Sequence, residues 1–293
     1  MDEGPANSTV KLALQRNGRL SESSTQLLHS VGLQFDSYQQ RLFAACRNFD
    51  LELLFVRDDD IPEYVADGVA DLGIVGRNLL LEFERPVTEL LPLGFGYCSL
   101  VVAVPNDSPA QTPQDLAGLK VATSYQNSAR RYFERAGVEV QIIPVSGSVE
   151  LTPTLGVAQA VVELTATGST LRVNDLRQID TVYRSEAVLV ANQQSLNDQR
   201  KAKTIERLCT RIKAAITATA YKYIMMNAPR SALEAIERVT PGLKSPTVVQ
   251  LADPDWVAVH AAIHADQFWD IIERLRELGA SEILVTPIES IIS

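Results

Sequence analysis

Cysteine is scarce in this chain of 293 residues, and Cys46, Cys98 and Cys209 are the whole set. An odd count with no short spacing between any two excludes a bridge framework and a thiolate zinc site, and it fits a reducing compartment. Histidine is equally sparse, with 3 residues. His260 and His264 share one face of an element but have no third ligand near them in the sequence, so they read as ordinary side chains. No run approaches the roughly 20 apolar residues that cross a bilayer. The opening MDEGPANST lacks the basic and apolar stretches of a secretory signal, so a soluble, cytoplasmic protein is expected. Positive charge is also short: 27 Lys and Arg stand against 36 Asp and Glu, a net charge of −9. That balance argues against nucleic acid and anionic membranes as partners, so an anionic ligand needs a local concentration of Arg or backbone N–H groups. The G-x-x-x-x-G-K-[ST], G-x-S-x-G and H-E-x-x-H patterns are all missing, which removes the common nucleotide-loop, serine-hydrolase and zinc-protease readings.

What is present is a globular composition, 46% hydrophobic and 22% charged, with short apolar runs alternating with helical patterns. Strands are predicted at 10–14, 51–56, 72–75, 99–104, 120–123, 140–143, 161–164 and 187–191, in an α/β fold with mostly parallel pairing. Helices are predicted at 61–67, after the acidic DDD with Pro62 in the first turn, and at 128–136, ending at Gly137. The polar, Pro-rich VPNDSPAQTPQDLAG reads as a hinge into a second lobe. Gly94-Phe95-Gly96 reads as a bend. From 197 an amphipathic period places Ile205, Leu208, Ile212 and Ile216 on one face of a long connecting helix. The order beyond it, βαββαβ, is that of a ferredoxin-like module. The expected domains are therefore lobe I over 1–104 and 184–218, lobe II over 105–183, and a C-terminal module over 219–293.

The segment VVELTATGSTL carries the clearest chemistry. A strand ends at Glu163 and Leu164 and enters a turn in which Gly168 lets the backbone approach a ligand, with the hydroxyls of Thr165, Thr167, Ser169 and Thr170 around it. Such a turn cradles phosphate, and Glu163 stands where it could accept from ribose hydroxyls. A Thr-rich helix cap is the competing reading. Arg16 and Arg19 follow the first strand, Arg41 lies in QQRLF, and Arg57 closes the second strand. Arg16 and Arg57 are expected to face the same crevice as the turn. Tyr125 ends a strand before Arg130 and Arg131, and Glu150 in SGSVE could offer one oxygen to Mg²⁺ or cap a turn. Asp58, Asp59 and Asp60 resemble a metal site, but their position before Ile61-Pro62 favours helix capping and dipole interaction for at least one of them.

Together, LQRNGRL, VRDDDIPEYVADGVADLGIVG, VATSYQNSARRYF, SGSVE, VELTATGSTL and GASEILVTPIESII resemble the long form of the ATP phosphoribosyltransferase family, in order and over nearly the whole chain. The resemblance implies a two-lobed, periplasmic-binding-protein-like catalytic region followed by a ferredoxin-like regulatory domain. It implies that N1 of ATP attacks C1′ of phosphoribosyl pyrophosphate and releases pyrophosphate, with Mg²⁺ arriving on the substrates. By the same resemblance Thr167 to Thr170 hold the 5′-phosphate, Glu163 the ribose hydroxyls, and Arg57 with Arg41 the departing pyrophosphate. Arg16, Tyr125 and Arg130 contact the nucleotide. In the regulatory domain Asn227, Leu243, Thr247, Ala262 and Glu282 match the positions that bind histidine as feedback inhibitor, and the family's dimers associate into hexamers. Two positions depart from the pattern: Gln159 stands where an acid is usual, and Glu163 replaces the usual Asp, which implies altered ribose or metal contacts. The rival from another class is a non-catalytic small-anion-binding or regulatory paralogue with the same fold.

Overall fold

The computed structural model describes residues 9–36, 42–240 and 242–292. The chain divides into two units: Leu33–Glu206 with the residues before Leu27, and Arg207–Ser293 with Leu27–Gly32.

The larger unit holds two sheets. The first is ordered β2-β3-β1-β4-β11-β5, from β1 (Val10–Gln15), β2 (Phe43–Ala45), β3 (Leu51–Val56), β4 (Leu72–Gly76), β5 (Thr88–Pro92) and β11 (Ala187–Ala191). The second is ordered β10-β6-β9-β7-β8, from β6 (Cys98–Pro105), β7 (Lys120–Thr123), β8 (Gln141–Pro144), β9 (Ala160–Thr165) and β10 (Leu176–Ser185). Helices α1 (Ser21–Ser30), α2 (Ile61–Ala66), α3 (Arg77–Phe83), α4 (Gln126–Ala136), α5 (Ser169–Val173) and α6 (Gln193–Asn197) connect the strands. Continuous apolar runs make the central strands because both faces are covered: β4 and β11 are buried at every residue.

The first sheet has a parallel centre with antiparallel flanks, and the second is parallel at one end and antiparallel at the other. β1 runs parallel to β3 and β4, and β7 runs parallel to β8 and β9. β11, β5, β2, β6 and β10 pair antiparallel, so the mostly parallel expectation is corrected. β2, β5 and β10 are absent from the predicted strands, because they are short or half-exposed and carry no sustained apolar run.

The lobe boundary also lies elsewhere than expected. β6 pairs only within the second sheet, with β10 and β9, so the chain crosses between Pro92 and Cys98 and returns at Glu186. The Pro-rich stretch after Val104 instead connects β6 to β7 inside the second lobe. The crossing contains Gly94 and Gly96, at φ +73° and +67°, where a side chain would be strained. Asp71, 2% exposed, fastens the end of the first sheet. It accepts from the Lys11 N–H at 2.8 Å, the Ser195 hydroxyl at 2.5 Å and the Lys201 ammonium at 2.8 Å, which satisfies a carboxylate out of water.

The smaller unit continues α7 (Gln199–Thr219) into β12 (Tyr221–Pro229), α8 (Leu233–Val239), β13 (Thr247–Gln250), β14 (Trp256–His264), α9 (Phe268–Glu277) and β15 (Ser281–Pro287). Its antiparallel sheet is ordered β13-β14-β12-β15, the ferredoxin-like arrangement. Val257, Val259, Ala261 and Ile263 alternate inward from β14 and pack with Ile236, Phe268 and Leu275. No helix among the described residues is long and apolar enough to cross a membrane.

Candidate active site

The carboxyl ends of parallel strands β7, β8 and β9 all reach one edge of the second sheet, the position at which open α/β sheets receive ligands. A cavity of about 560 Å³ opens there, lined by Ser124, Tyr125, Gln126, Pro144, Val145, Ser146 and Glu163 from the second lobe and Asp59, Leu79, Glu82 and Phe83 from the first. Ser124 Oγ donates to the Val145 carbonyl at 2.8 Å, and Thr123 Oγ1 accepts from the Tyr125 N–H at 2.8 Å. These bonds set the course of the chain as it leaves β7.

Glu163 sits where β9 emerges from the core: Val161 and Val162 are fully buried while Glu163 and Thr165 are partly exposed. Burial pushes its carboxyl up from 4.5 to about 7. The Leu164 N–H, donating to Oε1 at 2.8 Å, opposes that rise, and the charge of Glu150 adds to it. Glu150 and Glu163 are thus electrostatic neighbours. No group of three or more His, Cys, Asp or Glu that could hold a metal occurs among the described residues. Glu150 and Glu163 would each have one carboxylate oxygen to lend to a Mg²⁺ held mainly by phosphates.

Past Thr165 the chain makes the expected bend. Gly168 has φ +72°, and its N–H donates to Thr165 Oγ1 at 2.8 Å. The hydroxyls of Thr167 and Ser169 lie 3.0 Å apart, and Thr167, Ser169 and Thr170 are exposed, so the bend is open. The helix behind it, α5, has five residues, so its dipole is small and the N–H groups of its unpaired first turn are the useful donors. Arg172, which the sequence reading left out, reaches back to donate to the Thr167 carbonyl at 3.3 Å. It puts a guanidinium beneath the bend.

On the first sheet Arg16 and Arg57 are neighbours at the ends of β1 and β3, where Gln15 pairs with Val56 and the Arg16 N–H donates to the Val56 carbonyl at 2.8 Å. Neither lines the cavity, although Asp59, two residues beyond Arg57, does. Asp58, Asp59 and Asp60 form a 3-10 turn that makes no side-chain cap, which corrects the capping expectation. Partial burial and Asp58 raise the Asp59 carboxyl. Arg41 lies outside the described residues. Arg130 is directed to a groove with Phe133, Glu134 and Val138, away from the cavity. Arg131 is the member of the pair that meets the first lobe: it donates to the Leu81 carbonyl and pairs with Glu84 at 2.6 Å. Tyr125 lines the cavity, with its hydroxyl accepting from Asn78 Nδ2 at 3.3 Å. Burial, with Glu163 nearby, lifts that hydroxyl well above its ordinary value, so it stays a neutral phenol.

Asn78 and Glu82, four residues apart on α3, are the other groups the sequence reading missed. They are 4% and 5% exposed, and two polar residues at that spacing inside RNLLLEF are the signal that marks them. Gln159 bonds to Lys120, accepting from its N–H at 3.1 Å. It stands at the opposite end of β9 from the bend, about 13 Å along the strand from Glu163. In the smaller unit Asn227 Nδ2 donates to Glu282 Oε2 at 2.6 Å. Asn227 pairs with Ala258 and Ala262 with Tyr223, so Asn227 and Ala262 lie about 13 Å apart on the ladder. Thr247 pairs with His260, and Leu243 is exposed on the connecting loop. In a single chain Asn227 and Glu282 therefore meet, while Ala262 stands apart from them.

Comparison with known proteins identifies the family. The family model described as ATP phosphoribosyltransferase matches residues 57–214, and the model of the HisG C-terminal domain matches residues 218–290. An ATP phosphoribosyltransferase of Gemmatimonas aurantiaca is 45% identical over 97% of this chain and 99% of its own length. One of Cytophaga hutchinsonii is 42% identical over 98% and 99%. Among solved structures, the ATP phosphoribosyl transferase (HisG:HisZ) complex from Thermotoga maritima superposes with a TM-score of 0.60 at 30% identity, covering 70% of this chain and 98% of that one. With both halves matched and relatives spanned from end to end, the chain belongs to the ATP phosphoribosyltransferase family of histidine biosynthesis.

Proposed function

We propose that this chain joins ATP to phosphoribosyl pyrophosphate, with adenine N1 attacking C1′ and pyrophosphate leaving, to give phosphoribosyl-ATP. The observation that carries the proposal is the open bend at Gly168, directly after a partly buried carboxylate that faces a two-sided cavity. The attacking atom and the leaving group both belong to the substrates, so the protein needs no nucleophile of its own. It must orient two anions and stabilise charge as it moves. The hydroxyls of Thr165, Thr167, Ser169 and Thr170, with Arg172 behind them, suit a 5′-phosphate. Glu163 suits the ribose hydroxyls, and its carboxylate form favours positive charge developing at C1′. Arg57, with Arg41 and Arg16, provides guanidinium charge for the pyrophosphate and nucleotide phosphates. Tyr125 offers a ring and a neutral hydroxyl to the nucleotide. Mg²⁺, when bound by the substrates, neutralises phosphate charge. We further propose a cytoplasmic homo-oligomer, dimer to hexamer, that free histidine inhibits through the smaller unit. With Ala262 about 13 Å from Asn227 on the ladder, a site that uses Asn227, Leu243, Thr247, Ala262 and Glu282 together calls for a second copy or a rearranged one.

The test is an absorbance assay for phosphoribosyl-ATP with purified protein, ATP, phosphoribosyl pyrophosphate and Mg²⁺, repeated with millimolar histidine and accompanied by sedimentation. Turnover that histidine suppresses is the expected outcome. Binding of both substrates without turnover would support the non-catalytic paralogue, and a rate and sedimentation profile indifferent to histidine would remove the regulatory half of the proposal.

A further inference from the structure

Glu82 is buried, ionisable and given no role by the chemistry above. It lies on α3 of the first lobe, yet both carboxylate oxygens cross to the second: Oε1 accepts from the Asn127 N–H and Oε2 from the Ser128 N–H, each at 2.9 Å. Asn127 Nδ2 returns a bond to the Glu82 carbonyl at 3.1 Å. These N–H groups are the unpaired first turn of α4, an eleven-residue helix whose own N-cap residue, Tyr125, makes no side-chain cap. The cap is supplied instead from the other lobe. The arrangement also uses up the helix end that would otherwise attract a phosphate, because a carboxylate already sits on it.

We infer that Glu82 is a positioning residue for the nucleotide half of the site, capping α4 from across the cleft and so fixing Ser124, Tyr125 and Gln126 in the cavity wall. The inference rests on the proposed function, and it deepens that reading by assigning this wall to the base and sugar of ATP, with phosphates bound elsewhere. Glu82 touches no reacting atom. Its effect should fall on one substrate.

The experiment compares Glu82→Ala and Glu82→Gln with the parent enzyme, measuring KM for each substrate, kcat, the thermal midpoint, and ATP binding by equilibrium dialysis without phosphoribosyl pyrophosphate. KM and Kd for ATP should rise at least about tenfold in Glu82→Ala and less in Glu82→Gln, which keeps one acceptor, while KM for phosphoribosyl pyrophosphate stays within about twofold. Equal losses for both substrates would mean a general structural role and overturn the inference, as would an unchanged ATP affinity. If Glu82→Ala shows no cooperative melt, the isosteric Glu82→Gln decides alone. Absence of phosphoribosyl-ATP from the parent enzyme would refute the proposed reaction, whereas the dialysis arm would still judge Glu82.

Discussion

Replacing Glu163 with Gln should stabilise the protein and disable it together. Burial raises the folded-state carboxyl from 4.5 to about 7, so the folded chain resists ionising a group that the unfolded chain ionises freely. Between those pH values the folded state binds more protons than the unfolded one, and stability falls as pH rises. The penalty is absent below pH 4.5 and complete above 7, where a rise of this size corresponds to roughly 3 kcal/mol. Glu163 is partly exposed, so solvent screening should reduce the observed effect to about 1–3 kcal/mol. A Gln cannot ionise and escapes the penalty. Denaturant unfolding at pH 5 and pH 8 should therefore show Glu163→Gln gaining on the parent by about 1–3 kcal/mol more at pH 8 than at pH 5, with kcat reduced at pH 8 and little changed at pH 5, where the parent's carboxyl is already protonated. A stability difference that does not change with pH would refute the claim that a strained carboxylate is kept here for its chemistry.

Arg57→Ala should lower kcat at least about tenfold, some 1.4 kcal/mol of transition-state stabilisation; an unchanged kcat in the phosphoribosyl-ATP assay removes Arg57 from the leaving-group role. Gly168→Ala should raise KM for phosphoribosyl pyrophosphate by about five- to tenfold, because the residue sits at φ +72° and its new Cβ lies 3.2 Å from Arg172 Nη1; initial rates at varied substrate check it. Gly18→Ala should cost about 2 kcal/mol and weaken ATP binding, since φ is +129° and the added Cβ falls 2.4 Å from Gln15 Nε2. Gln15 cannot swing away without releasing the Leu20 N–H, which its Oε1 holds at 2.8 Å; a thermal melt and equilibrium dialysis measure the two effects.

Where burial follows an unbroken apolar run, the sequence was readable. β3, β7 and β11 have their predicted ends, and the smaller unit has the predicted order of elements. The bend at Gly168 was readable for a similar reason, because glycine punctuation after a strand has few structural meanings. Half-exposed β10 was missed because its inward residues are interrupted by Arg177, Asp180 and Arg184. The lobe boundary was misplaced because Pro and Gly mark turns of every kind, whereas sheet membership depends on partners far away in the chain. Glu82 and Arg172 act through backbone groups of other segments, and that kind of partnership leaves almost no local trace. Arg130 and Arg131 are adjacent, and only packing decides which of them turns toward the first lobe.

The placement of β11 bears on how the protein is made. This strand lies between β4 and β5, yet it is translated after all five strands of the second sheet. Until Ala187–Ala191 leaves the ribosome, β5 has no neighbour and β4 lacks one of its two. The second lobe, continuous in sequence, can close first, while the first lobe waits with a gap in its middle. A nascent chain stalled near residue 185 would thus display an open, apolar sheet interior, and that is the stage of biosynthesis at which a chaperone has most to protect.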